Sequence, residues 1–214
     1  MSGKPDANGP IVVVIDDDES VREALGGLFQ SVGLVAECFG SVDAYLAADK
    51  GDWVGCIVLD IRLPGRSGLE FQETLAKRDR PPSVVLISAH VDVQMAVRAM
   101  KAGAVDVLAK PVREQDLLEA VNRAIAQDKH RRSAAARSIM LRARYATLTE
   151  RERQVMEQVA AGLLNKQIAN RVNITEATVK LHRGQVMRKM EADSLPELVR
   201  MADMLRDDAG PKGP

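Results

Sequence analysis

Cysteine is scarce: Cys38 and Cys56, 18 positions apart, are the only two in 214 residues. With no Cys-x-x-Cys and no histidine at matching spacing, neither a zinc site nor a disulfide framework is indicated, and both thiols are expected in the core. Long apolar runs near the start are lacking too. Residues 11–15, Ile-Val-Val-Val-Ile, stop at three aspartates. They fall far short of the roughly 20 residues of a membrane span or the roughly 7–15 of a signal peptide, so a cytoplasmic protein without a membrane partner is expected. Aromatic residues make up 3% of the chain, and none follows Tyr145. That disfavours modules that stack bases of single-stranded nucleic acid or RNA in the second half.

Net charge is absent as well, with 30 Lys+Arg against 30 Asp+Glu, but the total hides an asymmetry. Residues 1–128 hold 13 basic and 20 acidic side chains, net −7, and residues 129–214 hold 17 and 10, net +7. The contrast points to two domains, the second a candidate for a polyanion. The length fits one large or two small domains, and 46% apolar with 28% charged residues excludes a disordered chain or a fibrous repeat.

The acidic half alternates strand and helix signals. Residues 11–15 form an unbroken β-branched run suited to a strand buried on both faces. Helical spacing follows from Glu19 until Gly33. Further strands are expected at 34–38, 56–59, 83–88 and 105–108, and helices at about 41–47, 68–77, 93–102 and 114–127. The pattern predicts an α/β fold, a five-stranded parallel sheet with helices on both faces.

Functional groups in such sheets gather outside the carboxyl ends of the strands. Here those ends carry Asp16 and Asp17, then Asp60, then Ser88, then Lys110 before Pro111. Clustered carboxylates repel one another unless a cation neutralises them, and hard oxygen ligands with room for water suit Mg²⁺. A nearby ammonium and hydroxyl complete a site for a phosphoryl group. Asp60, alone at a central strand end and followed by Leu63-Pro64-Gly65, is the best nucleophile for an acyl phosphate.

These residues resemble the receiver domain of two-component response regulators, in Ile15-Asp-Asp-Asp-Glu-Ser20, Leu59-Asp-Ile-Arg-Leu-Pro-Gly-Arg-Ser-Gly68, Ile87-Ser-Ala-His90, Ala96-Val-Arg-Ala-Met-Lys-Ala-Gly-Ala104 and Lys110-Pro111. The resemblance implies that a histidine kinase phosphorylates Asp60. It also implies that Asp16, Asp17, Asp60 and the Arg62 main-chain carbonyl bind Mg²⁺, that Ser88 senses the phosphoryl group, that Lys110 pairs with it, and that Lys110-Pro111 is cis. Arg62 and His90 flank the site in family terms and are expected to tune acyl-phosphate lifetime. The family's usual Phe or Tyr in the fifth strand is Val107 here. A β-branched side chain has no ring to swing, so switching is expected to rest on Ser88, the loop 89–93 and the helix after it.

Residues 128–146, rich in Ala and Arg without Pro or Gly, read as a charged helical spacer continuing the preceding helix. Four short helices follow. Thr149-Glu-Arg-Glu152 has the form of a capping box, Asn165 opens a second helix, Thr175 caps a third to about Met190, and Ser194-Leu-Pro-Glu197 caps a fourth. Two short helices joined by a tight turn, the second basic and expected to expose Lys180, His182, Arg183, Arg188 and Lys189, describe a helix-turn-helix.

From Leu148 to about Leu205 this resembles the LuxR-type helix-turn-helix, in Leu148-Thr-Glu-Arg-Glu-Arg153, Asn165-Lys-Gln-Ile-Ala169 and Thr178-Val-Lys-Leu-His182. The whole chain is similar to the FixJ group of response regulators. That implies DNA contacts from Lys166, Thr175, Thr178, Lys180, His182, Arg183 and Arg188, with His182 equally suited to packing. Gly184 departs from a longer side chain on the exposed face and would allow close backbone approach to DNA.

The expected organisation is a receiver domain over 10–127, a helical linker over 128–146 and a DNA-binding domain over 147–207. Residues 1–9 and 208–214 are expected as disordered tails. The expected function is transcription regulation: phosphorylation of Asp60 promotes homodimerisation, through the surface of about 93–108, and binding to duplex promoter DNA, with RNA polymerase a further possible partner. A phosphorylation-independent DNA-binding regulator, with the receiver as a docking module, is the alternative. An aspartate-nucleophile phosphatase is opposed by loops too short for a substrate pocket or lid, so the chain is not expected to be an enzyme beyond its own phosphoryl gain and loss.

Overall fold

The computed structural model describes residues 9–208 except 49, 50 and 52. The expected disordered tails therefore lie, apart from residues 9 and 208, outside the described residues. Contacts divide the chain into two compact units, with the division between Arg132 and Ser133.

The first unit holds β1 (Ile11–Ile15), α1 (Glu19–Ser31), β2 (Val35–Phe39), α2 (Val42–Ala47), β3 (Gly55–Asp60), α3 (Gly68–Leu75), β4 (Ser83–Ser88), α4 (Val93–Lys101), β5 (Asp106–Ala109) and the first part of α5 (Glu114–Ala146). All strand pairs are parallel, in the order β2-β1-β3-β4-β5. The five-stranded parallel sheet is the architecture expected from the alternating pattern.

Side chains of a strand alternate between faces, and the two cores divide accordingly. Val13, Ile15, Ile57, Leu59 and Leu86 pack with Val42 and Tyr45 of α2, Leu69 and Phe71 of α3 and Ala99 of α4. Val12, Val14, Cys56, Val58 and Ile87 pack with Phe29 of α1 and Leu117, Val121 and Ala124 of α5. The order reverses between β1 and β3, which places the ends of these two strands at the crevice where such sheets bind ligands.

Cys38 corrects the expectation of two core thiols. It is exposed, because β2 is an edge strand, whereas Cys56 is buried in the central β3. Burial, reinforced by the nearby Asp128 carboxylate, pushes the Cys56 thiol up to about 12. Since the thiolate is the nucleophile, a thiol reagent at neutral pH is expected to modify one cysteine in the native protein and two in denaturant. Prompt native reaction of both, read by mass, would contradict this assignment.

α5 runs without a break from Glu114 to Ala146, across the division between the units. In the first unit, Asp128 is buried, pairs with Arg131 and Arg132, and accepts the Gly55 amide at 3.1 Å, tying the helix to the start of β3. The end of the segment expected as a spacer is not solvated throughout: Leu141 is buried in the core of the second unit, and Tyr145 packs against it.

The second unit adds α6 (Glu150–Ala160), α7 (Asn165–Val172), α8 (Glu176–Met190) and α9 (Leu195–Asp208). Their inward faces, Val155, Met156 and Val159, then Ile168 and Ala169, then Val179, Val186 and Met190, then Leu198 and Ala202, make one core. The Thr149–Glu152 capping box is present. α7 ends at Asn173 in the left-handed conformation, from which the chain turns into α8 with Thr175 as its N-cap.

Candidate functional site

The acidic rim forms because β1 and β3 are adjacent and in register, Ile15 opposite Leu59, so each strand delivers its aspartate at the same level. Asp16 is fully buried and Asp60 nearly so, while Asp17 is exposed. One carboxylate oxygen from each of Asp16, Asp17 and Asp60 lies within 4.8 Å of the others. The third aspartate of the run has a different task. Asp18 is the N-cap of α1, accepting from the Ser20 amide at 2.9 Å, where a carboxylate also suits the helix dipole.

Lys110, at the end of β5, reaches into this rim. Its Nζ lies 2.6 Å from Asp16 Oδ2 and 2.6 Å from Asp60 Oδ2. Burial alone would lower the Lys110 pKa, but its hydrogen bonds to the two carboxylates outweigh this and raise it, so the ammonium stays charged. Burial is likewise the largest influence on Asp16 and raises its pKa, opposed by the hydrogen bond from Lys110. The Lys110-Pro111 peptide is cis, as the resemblance implies.

Arg62 and Ser88 line the same rim. The Arg62 amide donates to Asp60 Oδ1 at 2.9 Å, so both Asp60 oxygens are engaged, one by a main-chain N–H and one by an ammonium. Ser88, fully buried at the end of β4, turns its hydroxyl toward the His90 carbonyl, 3.1 Å away. Val107 is half-buried against the core on the α3–α4 side of the sheet. Gly68, the first residue of α3, approaches the site from behind: an added Cβ would lie 2.0 Å from the Asp60 carbonyl oxygen. In the sequence Gly68 stands out only as part of a motif, because its role depends on a contact eight residues back along the chain.

α4 joins the site to an exposed surface. Gln72 of α3 donates to the Ala99 carbonyl at 3.0 Å, and Glu73 holds Arg98 through two hydrogen bonds of 2.7 and 3.1 Å. The outer face of α4 leaves Val93, Val97 and Met100 exposed.

In the second unit, α8 has 15 residues, about 22 Å at 1.5 Å per residue, a length that suits a major groove. Lys180 and Arg188 are exposed on it, as are Leu181 and Gly184, and an added Cβ at Gly184 would meet nothing within 4 Å. Lys166, near the start of α7, is exposed too. His182 and Arg183 are half-buried, and Arg183 donates to Asn165 Oδ1 at 2.5 Å, tying α8 to the start of α7. Thr175 and Thr178 hydrogen-bond to each other at 2.8 Å within the cap.

Lys189, expected on the exposed face, instead turns inward and pairs with buried Glu152 at 2.6 Å. Burial pushes the Glu152 carboxyl up, but hydrogen bonds from Lys189 and Thr149 overcome this and hold it below its ordinary value of 4.5. A carboxylate depressed in the native state stabilises above its unfolded value, and this contribution is lost as pH falls through the native one. Amide protection in α6 and α8 is therefore expected to weaken below about pH 4.5, and to weaken less in Glu152→Gln than in the unsubstituted protein. Equal acid sensitivity of the two would contradict the pairing.

Comparison with known proteins agrees with both units. The family model described as "Response regulator receiver domain" matches residues 12–122, and the one described as "Bacterial regulatory proteins, luxR family" matches residues 146–202. Nodulation protein W of Bradyrhizobium diazoefficiens is 47% identical, over 91% of this chain and 86% of its own. The transcriptional regulatory protein FixJ of Azorhizobium caulinodans is 44% identical over 94% and 97%. Among solved structures, the response regulator StyR aligns with TM-score 0.80 at 44% identity, covering 91% of this chain and 98% of that one. Full-length FixJ from B. japonicum aligns with TM-score 0.57 at 39% identity, over 92% and 98%. The aspartate rim with its lysine thus sits in a receiver domain and α8 in a LuxR-type helix-turn-helix, and the chain belongs to the response regulators that control transcription by binding DNA.

Proposed function

We propose that Asp60 is the phosphoacceptor of a partner histidine kinase and that its phosphorylation drives homodimerisation and binding to promoter DNA. The observation that carries this reading is the Lys110 ammonium held 2.6 Å from both Asp16 and Asp60. An Asp60 carboxylate oxygen attacks the phosphorus of a phosphohistidine, an acyl phosphate bond forms, the phosphorus–nitrogen bond breaks and the imidazole leaves with its electron pair. Lys110, already beside the reacting oxygen, transfers its hydrogen bond to the new phosphoryl oxygens. The three clustered carboxylates form an all-oxygen donor set, and exposed Asp17 leaves room for water, which suits Mg²⁺. Asp16, Asp17, Asp60 and the Arg62 carbonyl would hold the ion. When bound, it neutralises carboxylates and polarises phosphoryl oxygens.

Ser88 supplies the switch by exchanging the His90 carbonyl for a phosphoryl oxygen. That exchange draws on the loop 89–93, and with Val107 in place of a swinging ring, α4 carries the change outward. Its exposed Val93, Val97 and Met100 are an apolar face for the dimer. Dimerisation then raises DNA occupancy through effective concentration. Lys180 and Arg188 reach the groove from the exposed face of α8, with Lys166, Thr175 and Thr178 toward phosphates, while Arg183 and His182 also hold α8 in place. The linker and domain limits of 10–127, 128–146 and 147–207 serve this division of labour. We place the protein in the cytoplasm, with its DNA, and RNA polymerase as a further partner.

Sedimentation velocity with Mg²⁺, with and without beryllium fluoride as phosphoryl mimic, tests the reading. Conversion of monomer to dimer on adding the mimic is expected. An unchanged sedimentation coefficient would favour phosphorylation-independent action instead.

A further inference from the structure

The Asp17 carboxylate is the least restrained part of the acidic rim. Asp16 and Asp60 are buried and bound to Lys110, but Asp17 is exposed, and among the described residues its carboxylate has no hydrogen-bond partner. Its aim therefore depends on the backbone that carries it. That backbone is held by a residue outside the rim. Nη1 of Arg22, in the first turns of α1, donates to the Asp16 carbonyl at 2.9 Å and to the Asp17 carbonyl at 2.9 Å.

The peptide unit joining Asp17 to Asp18 is secured at both ends. Its carbonyl accepts from Arg22, and its amide, the N–H of Asp18, donates to Asp16 Oδ1 at 3.0 Å. With the Asp16 carbonyl also held by Arg22, the peptide units on both sides of the Asp17 Cα are fixed, and they set the direction of its Cα–Cβ bond. Arg22 is itself restrained. It is half-buried, and its guanidinium lies against Gly40 beyond the end of β2, where an added Cβ would stand 3.5 Å from Nη1. The α1 backbone continues the brace, with the Arg22 amide bonded to the Asp18 carbonyl at 3.1 Å.

We infer that Arg22 is a positioning residue for the divalent-cation site, fixing the Asp17 carboxylate through the two main-chain carbonyls it holds. The inference rests on the proposed Mg²⁺ site. It assigns to Arg22 a role in affinity, through preorganisation of a ligand that would otherwise be ordered only on binding. Arg22→Met keeps the length and apolar stem but removes every donor. Arg22→Lys keeps a cationic donor that can serve both carbonyls, since both bonds come from a single nitrogen in the native chain.

The test is calorimetric titration of the full chain with Mg²⁺ alone, for the unsubstituted protein, Arg22→Met and Arg22→Lys, together with amide hydrogen exchange. Arg22→Met is expected to weaken Mg²⁺ binding about tenfold, and Arg22→Lys to recover part of the loss. Exchange at the Asp18 amide is expected to quicken in Arg22→Met while the amides of Val12, Val13 and Val14 keep their protection. A merely structural role would instead loosen β1 and α1 together. Mg²⁺ affinity within twofold of the unsubstituted protein in folded Arg22→Met overturns the inference and leaves the metal site standing. Absence of Mg²⁺ binding by the unsubstituted protein overturns the metal site and the inference with it. If Arg22→Met does not fold, folded Arg22→Lys decides: a parallel partial loss of Asp18 protection and of Mg²⁺ affinity supports the brace, and any other result, with either one changed alone or both unchanged, overturns it.

Discussion

Asp60→Asn is expected to abolish the response to beryllium fluoride, with the same sedimentation coefficient with and without the mimic, and to leave the folded protein at least as stable as before. Both halves follow from the geometry. Asparagine keeps the shape of the side chain but not the anionic oxygen that bonds to beryllium or phosphorus. The stability term comes from crowding of like charges. Carboxylate oxygens within 4.8 Å of one another repel by roughly 3–4 kcal/mol at an effective dielectric near 20, and the single Lys110 ammonium is shared between two of them. Removing one charge without Mg²⁺ relieves repulsion from both neighbouring carboxylates, which offsets the attraction to Lys110 that is lost with it, and Lys110 retains Asp16. Thermal unfolding without Mg²⁺ reads the second effect and sedimentation the first. An Asp60→Asn protein that still dimerises with the mimic would mean that Asp60 is not the acceptor.

The second large effect is expected at Gly68. A methyl group there would stand 2.0 Å from the Asp60 carbonyl oxygen and 3.0 Å from the Ile61 Cα. These are backbone atoms, so no side-chain rotation relieves the clash. The start of α3 must move away from the end of β3, breaking the Gly68 amide's bond to the Ile61 carbonyl at 3.0 Å. Gly68→Ala should destabilise the receiver by about 2–4 kcal/mol, within the range of overpacking and strain, despite the better helix propensity of alanine. It should also displace Asp60 and weaken Mg²⁺ binding. Chemical denaturation measures the first and calorimetry the second. A neutral or stabilising Gly68→Ala would mean that the close approach does not constrain the site.

Much of this site is legible before any folding is considered, because a parallel strand announces itself as a short β-branched run and ends where the polar residues begin. Asp16, Asp17, Asp60, Ser88 and Lys110 each follow such a run, and parallel topology requires all those ends to share one rim. The helix caps are legible for a similar reason. Thr149 and Glu152 make their bonds within a single turn, so local spacing carries the whole interaction. Exposure of a strand as a whole is different. Cys38 sits in an alternating strand pattern much like its neighbours, yet it faces solvent because β2 is outermost, and strand order is a property of the assembled sheet.

The chain alone determined the two-part construction, the five strands and their helices, the acidic rim and the basic helix of the second half, since each is written in residue types within one element or at its end. Tertiary structure alone decided which groups meet across long separations. Lys110 joins Asp16 and Asp60 from 94 and 50 residues away, Lys189 turns from the exposed face to Glu152 37 residues back, and Asp128 caps Gly55 across 73. Leu141 passes from spacer to core in the same way. The physical reason is that burial creates the demand for these partners. A charge or amide removed from water must find a mate in whichever element folding has laid beside it, and no periodicity in the sequence records that neighbour.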